Sequence, residues 1–249
     1  MGPRYGEAPQ YGQRLEDHDV AAHHQEAAYA SLQHQYPDVH THRQGEVSGR
    51  RRSLFPRATE IPVTWTLIAV CTVVYILQWL VPQGVVTQAM LYAPVLTEAQ
   101  PWRMLTSGFV HSPNNIAHVV LNMYTLFLFG QALEPRMGWW RHLTVYLLSI
   151  LGGSAAVWLL ANPWTPVVGA SGGVFGLFGA LFVWTRFHGG DTRALVALVV
   201  INMVFSFVFP GISWQAHVGG LITGAVVAWV FELCRRGSAR QRRGTAQRL

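Results

Sequence analysis

Four polar side chains in this sequence are of the types that acyl-transfer chemistry needs. Ser171 carries a hydroxyl that a base can convert into a nucleophile, and His217 is the kind of base that does so. His118 and Asn122 are two further polar side chains on an apolar segment. Their i, i+4 spacing puts them on one helix face. All four interrupt long apolar segments, where polar groups normally face a bundle interior or a wet cavity. Taken singly, each has a plainer reading. A Ser at a helix start usually caps it, and a His on a membrane helix usually packs and hydrogen-bonds. The case for catalysis is their agreement in depth across three helices.

That depth depends on the elements that carry them. The chain has 249 residues, 51% hydrophobic and only 12% charged, about half the charged share of a soluble domain. Of 12 acidic residues, only Glu60, Glu98, Glu134, Asp191 and Glu232 lie beyond position 50. The rest of the chain therefore has the long uncharged runs of a membrane domain. The net charge of +6 comes from arginines beside those runs. Arg50, Arg51, Arg52 and Arg57 precede the first, and Arg235, Arg236, Arg240, Arg242 and Arg243 follow the last. Such placement marks the cytoplasmic flank of a membrane, so no nucleic-acid partner is expected.

Residues 1–58, rich in Gln, His, Gly, Arg and Pro, have no apolar periodicity and are expected to form a disordered cytoplasmic tail. Its six histidines come without cysteines or zinc-ligand spacing, so no metal and no cofactor is expected. Cys71 and Cys234 have no metal spacing either and read as buried apolar thiols. Six apolar segments follow within residues 59–235. They run from Ile61 to Val81, from near Asn115 to Leu133, from near His142 to Ala161, from Ser171 to about Arg186, from Ala194 to about Phe209, and from Ser213 to Cys234. A first loop of about 32 residues is too long for an ordinary connection, and its apolar content predicts short interfacial helices. Residues 236–249 form a basic cytoplasmic tail.

Short loops set the orientation. With the N-terminal tail inside, Arg136, Arg141, Arg186 and Arg193 also fall inside, and the uncharged loops 162–170 and 210–211 fall outside. Both termini are then cytoplasmic, and His118, Asn122, Ser171 and His217 all lie toward the outer face. The fourth segment spans only about 25 Å against a hydrocarbon core of about 30 Å. Its N-terminus is expected to be recessed, with free N–H groups and positive dipole charge beside Ser171. Gly172, Gly173, Gly176 and Gly179 on this helix, and Gly220 and Gly224 one and two turns after His217, permit close backbone approach. The run Gly169 to Gly173 also fits a nucleophile elbow, but that needs a preceding strand and an acidic partner, both lacking here.

Further motifs join these: Trp102-Arg103 and Phe109-Val110-His111 in the first loop, and Glu134-x-x-x-Gly138-x-x-Arg141 after the second segment. With His118-x-x-x-Asn122, Gly169-Ala170-Ser171-Gly172 and Ala216-His217-x-x-Gly220-x-x-x-Gly224, the set resembles the rhomboid family of intramembrane serine proteases over roughly residues 60–234. The resemblance implies an all-α, six-transmembrane-helix bundle and a serine endopeptidase with a Ser171–His217 dyad. It also implies His118 and Asn122 as oxyanion-hole side chains, Phe175 as a ring beneath His217, and Gly169, Gly220 and Gly224 as supporting positions. Trp102, Arg103 and His111 then anchor the loop, and Glu134, Gly138 and Arg141 are structural. The substrates implied are single-pass or polytopic membrane proteins cut near the outer face, with the lipid bilayer as the medium. Two rivals are an inactive rhomboid-like protein that binds membrane helices, and a transporter. Inactive relatives typically lack the Ser or the His, and a transporter needs polar groups through both membrane halves. Beyond the outer halves there is little except Asn202 and Glu232. An Ala/Gly/Arg bias points to a bacterial plasma membrane.

Overall fold

Ile, Leu, Val and Ala dominate the six apolar segments, and a backbone in an apolar medium must satisfy its own hydrogen bonds. Helices result. The computed structural model describes residues 60–246, with side chains through residue 237, and every regular element among them is helical. The tail 1–58 lies outside the described residues. The helices are α1 (Pro62–Leu80), α2 (Val85–Met90), α3 (Arg103–Thr106), α4 (Ile116–Met137), α5 (Trp139–Leu160), α6 (Ser171–Phe187), α7 (Arg193–Val208) and α8 (Trp214–Ala246).

Of these, α1, α4, α5 and α8 are long and apolar enough to cross a membrane, and α6 and α7 are shorter apolar helices of 17 and 16 residues. Large apolar side chains such as Leu80, Leu121, Leu159, Val208 and Ile222 lie exposed on the bundle exterior, as lipid-facing surfaces require. The chain is an integral membrane protein. Helix α6 is the centre: Gly172 through Ala180 are all buried, and α4, α5, α7 and α8 pack around it. Helix α7 is the opposite case, with Ser206 its one buried residue.

Two differences from the sequence reading have physical causes. Helix α8 runs on past Cys234 to Ala246, because Ala, Arg and Gln are strong helix formers and need no apolar face to continue a helix. Cys71 is buried as expected, but Cys234 is exposed, since it lies on the outward side of that same helix.

Close packing at the centre comes from glycine. A Cβ on Gly220 would collide with the Gly172 carbonyl, and one on Gly224 would collide with the Gly176 backbone. Helix α5 joins the same seam, where a Cβ on Gly153 would stand 2.8 Å from the Ala216 carbonyl. The backbones of α6 and α8 therefore touch, which brings side chains from their first turns together.

The end of the bundle opposite the first loop is fixed by a buried carboxylate. Glu134 near the end of α4 accepts from Val63 N (2.8 Å), Thr64 N (2.9 Å) and the Thr64 hydroxyl (2.6 Å). Helix α1 has no side-chain cap of its own. Glu134 thus satisfies orphan donors at its N-terminus and places negative charge at the positive end of its dipole. His142 closes the cluster, with Nε2 3.3 Å from Thr64 Oγ1. Arg141 packs its guanidinium over Trp140 and Phe231. Glu134 and Arg141 thus both take part in the packing at this end of the bundle.

The first loop is held at many points. Tyr92 and Val167 exchange backbone hydrogen bonds of 3.1 and 2.7 Å, tying the loop to the segment that leads into α6. Arg103 donates to the carbonyls of Gln88 and Leu91 and to Gln100 Oε1. The Ser154 hydroxyl on α5 donates to the Met104 carbonyl at 2.6 Å. Trp102, by contrast, has a largely exposed side chain.

Candidate active site

The segment Gly169–Ala170 delivers Ser171 to the start of α6. Gly169 has φ +126°, a conformation that L side chains rarely adopt. A Cβ there would stand 2.8 Å from His118 Nε2 and 3.8 Å from Ser171 Oγ. The absent side chain therefore leaves open the space between those two groups. Gly169 N donates to the Ser107 carbonyl at 3.0 Å, which fixes the segment against the first loop.

Ser171 does not play the ordinary role of a helix-start serine. Ala170 occupies the cap position, and no side chain caps the helix. Among the described residues, the Ser171 hydroxyl makes no hydrogen bond, so it is unengaged at the start of the central helix. The first N–H groups of α6 have no intrahelical acceptor and carry the positive end of the helix dipole.

His217 lies on the first turns of α8, buried at 6% exposure. Its ring stacks on Phe175, with centroids 4.1 Å apart and planes 10° apart. Phe175 stands one turn after Ser171, so the stack sets the imidazole against the helix that carries the hydroxyl. No hydrogen bond joins Ser171 to His217 in this structure, and unliganded sites commonly tighten such contacts only when substrate is bound. Phe175 lies under the His217 ring, and at Gly220 the two helix backbones touch.

His118 is oriented by its backbone surroundings. Ser112 N donates to His118 Nδ1 at 3.2 Å. A ring nitrogen that accepts has no proton, so the neutral imidazole carries its proton on Nε2, the atom beside Gly169. Asn122 is buried, and its Nδ2 donates one proton to the His118 carbonyl at 2.8 Å; an amide nitrogen carries a second. Both side chains thus retain an N–H for an additional acceptor.

Two further residues near the site have only weak sequence signals. Gln78, buried at the end of α1, pairs with the His111 backbone in both directions. Its Nε2 donates to the His111 carbonyl (2.7 Å), and His111 N donates to its Oε1 (3.1 Å). His111 in turn accepts from Ala170 N through Nε2 at 3.5 Å. Burial pushes the His111 imidazole down to about 3, with nearby His118 adding to the effect, so it stays neutral and keeps that lone pair. The chain Gln78–His111–Ala170 ends one residue before Ser171. Ser206 is the second case: its Oγ lies 2.6 Å from His217 Nδ1. A Gln near the end of one apolar segment and a Ser within another are the only signs.

Comparison with known proteins identifies the family. The profile of the Rhomboid domain matches residues 98–233, more than half of the chain. RHOMBOID-like protein 4 of Arabidopsis thaliana is 36% identical over 138 residues, covering 52% of this chain and 34% of that protein. Rhomboid protease GluP of Bacillus subtilis is 32% identical over 152 residues, or 58% of this chain and 29% of its own length. Against these two the chain spans only about a third of the relative's length. Rhomboid protease GlpG of Salmonella paratyphi A is 30% identical over 206 residues, covering 76% of this chain and 72% of that protein. The relatives come from both a plant and bacteria, so they do not single out a bacterial source. On the matched domain, the extent of the GlpG match and the all-helical membrane bundle, this chain belongs to the rhomboid family.

Proposed function

We propose that the protein is an intramembrane serine endopeptidase that cleaves transmembrane-helix substrates through Ser171 and His217. The observation that carries the reading is the stack of His217 on Phe175, one turn from an uncapped Ser171 hydroxyl. In this mechanism His217 Nε2 takes the Ser171 proton as Oγ bonds to the substrate carbonyl carbon. The carbonyl π electrons move to oxygen. That oxyanion accepts from His118 Nε2–H, Asn122 Nδ2–H and the Ser171 backbone N–H. Imidazolium then gives its proton to the leaving amine as the C–N bond breaks. Water, deprotonated by His217, attacks the acyl-enzyme, and Ser171 recovers its proton as the second product leaves.

The proposed setting follows from charge placement. Six spans within residues 59–235 put Arg136, Arg141, Arg186 and Arg193 on one side with both termini, which the positive-inside bias makes cytoplasmic. The tails 1–58 and 236–249 then flank the protease domain on that side, and the site opens toward the other. Membrane proteins with a helix that unwinds near that face are the substrate class.

Incubating the detergent-purified protein with a transmembrane peptide tests the proposal. Cleavage by wild type and its loss in Ser171→Ala and His217→Ala is the expected result. Equal cleavage by Ser171→Ala would remove Ser171 as nucleophile.

A further inference from the structure

Helix α7 has an apolar, largely exposed surface, and Ser206 alone among its residues is buried, at 3% exposure. That hydroxyl sits between two polar atoms: His217 Nδ1 at 2.6 Å and the Asn202 carbonyl at 2.7 Å. A hydroxyl has one proton, and a carbonyl oxygen has none to give. Ser206 must therefore donate to Asn202, since otherwise two acceptor oxygens would face each other unbridged at that distance. Its lone pairs are left to accept, and the atom they meet is His217 Nδ1. The imidazole then carries its proton on Nδ1 and its lone pair on Nε2.

We infer that Ser206 is a positioning residue for His217, fixing the tautomer and ring orientation that a base acting through Nε2 requires; this rests on the Ser171–His217 reading. The arrangement does what a carboxylate does beside histidine in other hydrolases, without an ionised group at membrane depth, where charge is costly. Phe175 limits tilt of the ring by stacking on its face, and Ser206 limits spin in its plane by binding one edge. The two contacts come from different helices and are mutually independent. The opposite tautomer at His118, with its proton on Nε2, follows from the Ser112 N contact. Two neighbouring histidines are thus set for opposite jobs, one accepting a proton and one donating a hydrogen bond.

The test uses the full chain in detergent with ¹⁵N-labelled histidine, the His217 signals being assigned by their loss in His217→Gln. Wild type is expected to show a protonated Nδ1 and an unprotonated Nε2 at neutral pH. Ser206→Ala is expected to give averaged signals from mixed tautomers, and Ser206→Thr, which keeps the hydroxyl, to restore them. In peptide cleavage, Ser206→Ala should lower kcat about 5- to 10-fold, the scale of one neutral hydrogen bond, with KM unchanged and Ser206→Thr near wild type. A wild-type spectrum with the proton on Nε2 overturns the inference, and so does a Ser206→Ala spectrum identical to wild type. If Ser206→Ala does not fold, the wild-type tautomer alone decides. A Ser206-dependent Nδ1 proton in a protein that cleaves nothing would sink the protease reading and leave this one standing.

Discussion

The rings of Phe175 and His217 lie nearly parallel, 10° apart in plane and 4.1 Å between centroids. Phe175 also meets Phe178, with centroids 5.4 Å apart, so the platform under the imidazole is itself packed. Stacked aromatic pairs contribute roughly 0.5–1.5 kcal/mol beyond burial. Phe175→Ala should therefore lower turnover about tenfold by freeing the ring, while Phe175→Tyr should keep most of it. Steady-state kinetics on a transmembrane peptide measure both, and equal activity in Ala and Tyr variants would show the stack to be irrelevant to catalysis.

Asn122 has one amide proton committed to the His118 carbonyl and the second available. Asn122→Ala is expected to reduce kcat by about 10²-fold, the usual cost of one oxyanion donor. His118→Ala should cost at least as much, because Nε2–H is lost together with the contact that orders Ser112. Single-turnover rates separate this loss from any change in substrate binding.

Gly169 combines a left-handed φ of +126° with a Cβ position 2.8 Å from His118 Nε2. Gly169→Ala strains the backbone and pushes on the same nitrogen. Activity should fall about 10²-fold or more, with the melting temperature lowered by only a few degrees. Reaction of Ser171 with a fluorophosphonate probe should fall in parallel, since the attacked phosphorus would compete for that space.

Glu134 satisfies three donors at the start of α1 while itself 2% exposed. Glu134→Ala leaves those donors unpaired and should destabilise the bundle by about 3 kcal/mol. Cleavage per folded molecule should be nearly unchanged, because the cluster sits at the end of the bundle away from Ser171. Unfolding in mixed micelles, followed beside active-site titration, distinguishes the two effects.

Much of the site is visible in the sequence because it combines local spacing with membrane depth. His118 and Asn122 share a helix face by period alone, Ser171 stands at a helix start marked by Gly169, and His217 precedes Gly220 and Gly224 at packing intervals. What the sequence hides is which side chains meet across helices. Gln78 bonds to a residue 33 positions away and Ser206 to one on the next helix, and neither contact leaves a periodic trace. Glu134 is recognisable as part of a motif, yet its role as a cap for α1 depends on two helix ends meeting in space. The extension of α8 escapes a hydropathy reading for a different reason: the apolar pattern stops at the membrane boundary, whereas helix propensity does not.

Replacing glycine by alanine inside a helix is a routine way to make proteins sturdier, worth roughly 1 kcal/mol in an open setting. Along the seam between α6 and α8 that rule changes sign. A methyl group at Gly220 or Gly224 has no empty volume to occupy, only a neighbouring peptide carbonyl, so each such change wedges the helices apart. Thermostabilised variants are better sought at Gly237, which has open space around it and ordinary dihedrals.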